Sequence, residues 1–200
     1  MGKGVRMKVV GKQRNSRMCF VCGMDNPMGM KAQFYNMEDG SVMTVFRYEE
    51  EHQSFPQRVH GGLTATMLDE LGLRAMWTKS SEEVFGVTMS MEVKCRRPVP
   101  YGVELVGRGM VERETPKFVT IRSELFDMEG NRLADAELKY IKLEVKQIVQ
   151  GIEPHEEMCY LIEDDVKEIN FRKKPEHPSD GQGVCSGVRI VWERMSKDLA

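Results

Sequence analysis

His60-Gly61-Gly62, followed nine residues after the histidine by Asp69, is a stretch whose residue types and spacing could do acyl chemistry. The His-Gly-Gly step opens an apolar, helix-periodic segment. The first turn of a helix has unpaired backbone N–H groups at the positive end of the helix dipole. Such a place can polarise a carbonyl or hold an oxyanion. A carboxylate inside an otherwise apolar helix is a candidate base. Two carboxylates compete for that role, Asp69 and Glu70, and their neighbours separate them. Glu70 has Arg74 four residues on, which reads as a favourable pair on the solvent face. Asp69 has Ala65, Thr66, Gly72 and Leu73 around it and no basic partner, so it should hold its proton more tightly than an ordinary carboxylate.

Helix geometry limits how these parts can work together. Nine residues turn a helix by ~900° and advance it by ~13 Å, so His60 and Asp69 point to nearly opposite sides. They cannot both reach one carbonyl carbon, which must lie within ~3–3.5 Å of each group acting on it. If the stretch is catalytic, the carboxylate of one subunit must meet the helix start of another.

The elements that would position these residues follow from periodicity. Leu63, Met67, Leu71 and Ala75 recur at helical spacing with Thr64, Leu68, Gly72 and Met76 beside them, which predicts a helix over 61–78. Before it, 30–35 and 42–48 read as strands joined by Glu38-Asp39-Gly40, and 53–58 as a loop containing Pro56. After it, 84–95 alternates. Val87, Met89, Met91, Val93 and Cys95 share one face, and Thr88, Ser90, Glu92 and Lys94 share the polar one. Three further strands are expected at 103–112, 118–126 and 132–145. In the last, the apolar phase passes from Leu138 and Tyr140 to Ile141 and Leu143, which predicts a β-bulge near 140–141. One antiparallel sheet with one long helix is an α+β layer architecture.

Three segments are expected: a mobile basic arm over 1–17, a folded domain over 18–147, and a C-terminal extension over 148–200. The extension should hold a short acidic helix over 156–169, a loop over 172–187, and a strand or helix turn at 188–192. Its expected place is as cover for a sheet edge or a groove.

The 200 residues carry a formal net charge of −2, which gives no general attraction to nucleic acid or to an anionic membrane. No apolar run is long enough to span a bilayer, and the basic N-terminus lacks the apolar segment of a signal peptide, a transit peptide being the lesser alternative. The five cysteines are an odd count and argue against a disulfide framework, so a reducing, cytoplasmic setting is expected. Cys19-x-x-Cys22 is half of a zinc site or a redox pair, but Cys95, Cys159, Cys185, His155 and His177 offer no second paired spacing. No metal is therefore expected, and the two thiols read as small buried groups in a turn. Met67, Met76 and Met89 read as core filling, with an adaptable acyl groove as the alternative. His52 has no evident partner.

The element order, the Val59-His60-Gly61-Gly62 step and Asp69 together resemble the hotdog-fold acyl-CoA thioesterases, in particular their PaaI-type branch. Cys19-Phe20-Val21-Cys22-Gly23 with Asn26-Pro27-Met28-Gly29-Met30 is similar to that branch's N-terminal signature. Gly86–Met91 and Arg97-Pro98-Val99-Pro100 fall where it has a central strand and the following turn. The resemblance covers roughly 17–145. It implies a sheet wrapped around one central helix, pairing of subunits as a homodimer or dimer of dimers, and hydrolysis of acyl-CoA thioesters without metal or cofactor. It assigns Asp69 as base or nucleophile, Gly61 as the N–H that polarises the thioester, His60 as its support, and Thr88 as the hydroxyl that positions water, with Gly62, Gln53 and Ser54 as substrate-binding residues. Some relatives carry an Asn six residues before the histidine. This chain has Ser54 there, and Gln53 beside it supplies the same polar contact if the loop shifts by one. A non-catalytic acyl-CoA or lipid-binding module on the same fold is the competing function. A hydratase or dehydratase is disfavoured because no Asp–His pair can face one another.

Overall fold

The computed structural model describes residues 5–79, 84–148, 151, 154–171 and 188–191. In chain order, Val5–Lys12 (β1), Tyr35–Met37 (β2) and Val42–Arg47 (β3) lead to a small hairpin, Gln53–Phe55 (β4) and Arg58–Val59 (β5). Gly61–Met76 (α1) follows. A meander then runs through Val84–Cys95 (β6), Glu104–Glu114 (β7), Phe118–Asp127 (β8) and Arg132–Glu144 (β9). Single helical turns at Val145–Ile148 (α2) and Pro154–Glu157 (α3) and the short strands Glu168–Phe171 (β10) and Val188–Val191 (β11) come last. The main sheet is antiparallel with strand order β10-β1-β2-β3-β7-β8-β9-β6-β11.

Helix α1 lies across β6–β9 and buries Met67, Leu68, Leu71 and Ala75 against them. The core between helix and sheet is filled by Leu105, Val119, Ile121, Leu125, Ala134, Ala136 and Leu138. This is the α+β layer architecture expected from the element order, consistent with the hotdog fold that the resemblance implies, with Met67 and Met76 as core rather than groove residues. No helix among the described residues is long and apolar enough to cross a membrane.

Several local expectations are corrected. The segment 5–12, read as part of a solvated arm, is strand β1, paired with β2 on one side and β10 on the other. Its basic residues find carboxylates in the acidic C-terminal stretch: Lys12 meets Asp164, and Arg6 lies 3.4 Å from Glu168. That same pairing accounts for the missing acidic helix, because after α3 the chain runs extended into β10. The next residues are held too. Buried Asn15 donates to the Cys22 and Ala32 carbonyls at 2.7 and 2.9 Å. The strand expected from residue 30 begins at Tyr35, because the Met30 and Ala32 N–H groups bond back to Phe20 and Val21. The expected loop at 53–58 is the β4–β5 hairpin, with Gln57 at φ +65 in its turn. The loop expected at 172–187 lies outside the described residues, and 188–191 takes the strand alternative on the edge of β6.

The β-bulge is real but belongs to the other strand. Thr88 pairs with Tyr140 and Ser90 with Lys139, so Met89 is the extra residue, in β6. One extra residue reverses the parity of a strand. Thr88 is thereby turned off the polar face of Ser90, Glu92 and Lys94 and onto the inner face, beside the helix.

Candidate active site

Asp69 sits on the side of α1 that faces β6 and β9. The Thr88 hydroxyl donates to its Oδ1 at 2.8 Å. The Tyr140 hydroxyl lies 3.0 Å from the same Oδ1 and 2.7 Å from the Asp69 carbonyl oxygen. Among the described residues Oδ2 receives no hydrogen bond. Burial raises the Asp69 pKa above the ordinary carboxylate value. The bonds from Thr88 and Tyr140 pull it back down, and the neighbouring Glu70 charge adds to the rise. Tyr140 is buried, and burial together with the adjacent Asp69 pushes its own pKa well up, so it remains a donor.

The seat of Tyr140 was not anticipated. Gly72, one turn along α1 from Asp69, makes it possible: a Cβ there would lie 2.2 Å from the Tyr140 Oη. A glycine in mid-helix ordinarily costs stability relative to alanine. Its presence opposite an inward-facing aromatic was the one sequence signal that could have revealed this contact.

The helix start is built as expected but stands apart from Asp69. His60 is the N-cap of α1, and its Nδ1 accepts the Gly62 N–H at 2.9 Å. That cap needs an unprotonated Nδ1, which leaves Nε2 as the donor. The Gly62 N–H is thus occupied, whereas that of Gly61 has no acceptor among the described residues and Gly61 is exposed. His52 proves structural. Its Nδ1 accepts the Glu49 N–H at 2.8 Å, its carbonyl accepts the His60 N–H at 2.9 Å, and its ring packs edge-on against Tyr48 and Phe20. Gln53 and Ser54 lie exposed on β4 beside this start. The structure therefore brings Thr88 and Tyr140 to Asp69, and leaves His60, Gly61, Gly62, Gln53 and Ser54 at the far end of the helix, ~12 Å along its axis.

Glu70 corrects another expectation. It does pair with Arg74, at 2.8 Å, but the pair is not on a solvent face: the two side chains are 13% and 1% exposed. Arg74 also donates to the Arg14 carbonyl at 2.7 Å and stacks on Phe34 and Trp77. The N-terminal segment covers this face of α1, so the order of that segment and the burial of Glu70 have one cause.

Residues 57–134 match the thioesterase superfamily family model, a span that includes both the helix start and Asp69. Solved structures share the fold. A thioesterase superfamily protein is 23% identical with a TM-score of 0.57 over 62% of this chain, and the match spans 60% of that protein's length. A phenylacetic acid degradation-related protein of Ralstonia eutropha is 19% identical with a TM-score of 0.51, over 56% of this chain and 85% of its own. A Bacillus halodurans protein crystallised with CoA is 17% identical with a TM-score of 0.53, over 58% of this chain and 77% of its own. At these identities the likeness is one of fold. No curated protein matches the sequence.

Proposed function

We propose that this protein hydrolyses acyl-CoA thioesters, with Asp69 of one copy as general base and the Gly61 N–H of a second copy as oxyanion donor. The observation that carries this reading is the state of Asp69: mostly buried, its pKa raised, fixed through Oδ1 by two hydroxyls, and with Oδ2 left open. A base held in one rotamer with one oxygen available can take a proton from a water aligned on a carbonyl. Water attacks the thioester carbonyl carbon, and Asp69 accepts the water proton. The C–S bond then breaks, and the CoA thiolate leaves and is protonated. The negative charge on the carbonyl oxygen in between is met by the Gly61 N–H at the positive end of α1. The thioesterase superfamily match supports the reaction class, and the CoA bound by the Bacillus halodurans protein supports the CoA moiety as the handle.

β11 pairs with Ser90–Val93 at one edge of β6, and Thr88 lies two residues before that pairing. Free-thiol release from a panel of short, long and aromatic acyl-CoAs tests the reading. Turnover of at least one member, lost in Asp69→Asn, is expected. Tight binding with no thiol release from any would overturn it in favour of a binding module.

A further inference from the structure

The turn between β1 and β2 brings Cys19 and Cys22 onto Glu70 of α1. Their Sγ atoms and a Glu70 carboxylate oxygen all lie within 4.8 Å of one another. From these groups we infer a site for one divalent transition-metal ion of the zinc type, held by the Cys19 and Cys22 thiolates and Glu70, with solvent in the fourth position. Sequence spacing could not find it, because the third ligand comes from a helix 48 residues beyond Cys22 rather than from a second paired motif.

Four observations carry the assignment. First, the ligand set suits the ion: two soft thiolates and a carboxylate are zinc ligands, and C-x-x-C is a usual spacing for two of them. Second, the spacing suits it. Bonds of ~2.3 Å to sulfur and ~2.0 Å to oxygen in a tetrahedron put ligand atoms ~3.5–3.8 Å apart. Cys19 Sγ already lies 3.8 Å from Glu70 Oε2. Third, the two carboxylate oxygens divide the work. Oε1 accepts from Arg74 at 2.8 Å, which fixes the carboxylate, and Oε2 is turned toward the thiols. Carboxylate ligands oriented by an outer hydrogen bond are the rule in metal sites.

Fourth, the turn is shaped around the sulfurs. The Val21 N–H donates to Cys19 Sγ at 3.4 Å, Ser16 Oγ lies 3.3 Å from Cys22 Sγ, and the Gly23 N–H closes the turn on the Cys19 carbonyl at 2.8 Å. A Cβ at Gly23 would lie 2.3 Å from that carbonyl oxygen, so only glycine follows Cys22 here. Cys22 is 1% exposed and Cys19 is half-buried, which leaves one side of the trio open to solvent. The charges also close. Two thiolates and Glu70 give −3, the Arg74 guanidinium returns +1, and a divalent cation brings the cluster to neutrality. Such an ion ties the N-terminal turn to α1 one residue from Asp69.

The test is titration of the full-length, reduced, metal-stripped protein with Co²⁺ alone. One ion per chain should bind with thiolate-to-cobalt charge-transfer absorption and tetrahedral d–d bands, and Zn²⁺ should displace it. Cys22→Ser should abolish the charge-transfer band, and Glu70→Gln should keep the band while weakening affinity by ~10-fold or more. No charge-transfer absorption in the parent protein, or a band that survives in Cys19→Ser/Cys22→Ser, would overturn the site. So would an unchanged affinity in Glu70→Gln. The readout is optical and does not depend on turnover, so its failure leaves the thioesterase reading standing and the converse also holds.

Discussion

At the scale of single residues the proposed chemistry rests on Asp69 and the two hydroxyls that hold it. Asp69→Asn keeps the acceptor oxygen that Thr88 and Tyr140 use but removes the base, and should lower kcat by ~10²–10⁴-fold. Its effect on stability has the opposite sign. The folded-state pKa of Asp69 is raised above the unfolded value, so the protonated form is the one folding favours. That contribution is full at low pH and is lost as pH rises through the raised pKa. Asp69→Asn should therefore not lower the Tm at neutral pH, which a thermal melt beside the activity assay would check. The same shift sets the acid limb of the rate profile: turnover should fall as pH drops through the Asp69 pKa. Tyr140→Phe removes a bond that favours the charged form, so this limb should move to higher pH. An unmoved limb in a pH–rate series would contradict the role given to Tyr140.

Glu70 shows what the sequence could not carry at this scale. The i,i+4 spacing to Arg74 is legible in one dimension, but whether the pair faces water depends on residues 13–24, whose anchoring by Asn15 is a tertiary matter. Glu70→Gln leaves a buried guanidinium without its carboxylate. It should cost about 3 kcal/mol in a denaturant unfolding experiment, where an exposed pair would cost well under 1 kcal/mol.

At the scale of elements, α1 and β6 do the positioning, and they were legible to different degrees. Strong periodicity placed α1 within two residues and β6 at its observed bounds. The weaker point was parity. A phase slip in β9 showed that a register change was due near Tyr140, but pairing decides which strand takes the extra residue, and only the pairing puts Met89 there. Thr88 consequently looked like a polar-face residue and turned out to face the helix. The N-terminal strand was missed because its partners, β2 and β10, are short and β10 is distant in sequence, so local pattern gave it nothing to pair with. Gly72 supplies the test at this scale. Gly→Ala in a helix interior ordinarily stabilises by up to ~1 kcal/mol. Here the added methyl would meet the Tyr140 hydroxyl, so Gly72→Ala should lower the Tm and also weaken turnover by displacing Tyr140 from Asp69. A Gly72→Ala variant as stable and active as the parent would remove the packing argument.

At the scale of the whole molecule, a single copy holds both halves of the proposed machinery and can join neither to its own counterpart. The base and the open N–H lie on one rigid helix, ~12 Å apart along its axis. A site that uses both must combine two copies, and twofold symmetry then gives two such sites per dimer. Gly61→Pro makes this testable with little damage to the fold. Gly61 is the first helical residue, where proline is well tolerated, and His60 before it is already extended at φ −62 and ψ 130. Only the N–H is removed. The decisive measurement is thiol release by inactive Asp69→Asn and inactive Gly61→Pro chains, each alone and after co-refolding in equal amounts. In a mixed dimer the Gly61→Pro chain supplies an intact Asp69 and the Asp69→Asn chain an intact Gly61, so one of the two sites is whole. Random pairing should restore about a quarter of the parent activity. If the mixture stays as inactive as its components while mixed dimers are shown to form, the base and the oxyanion donor do not come from different copies, and the proposed site is wrong.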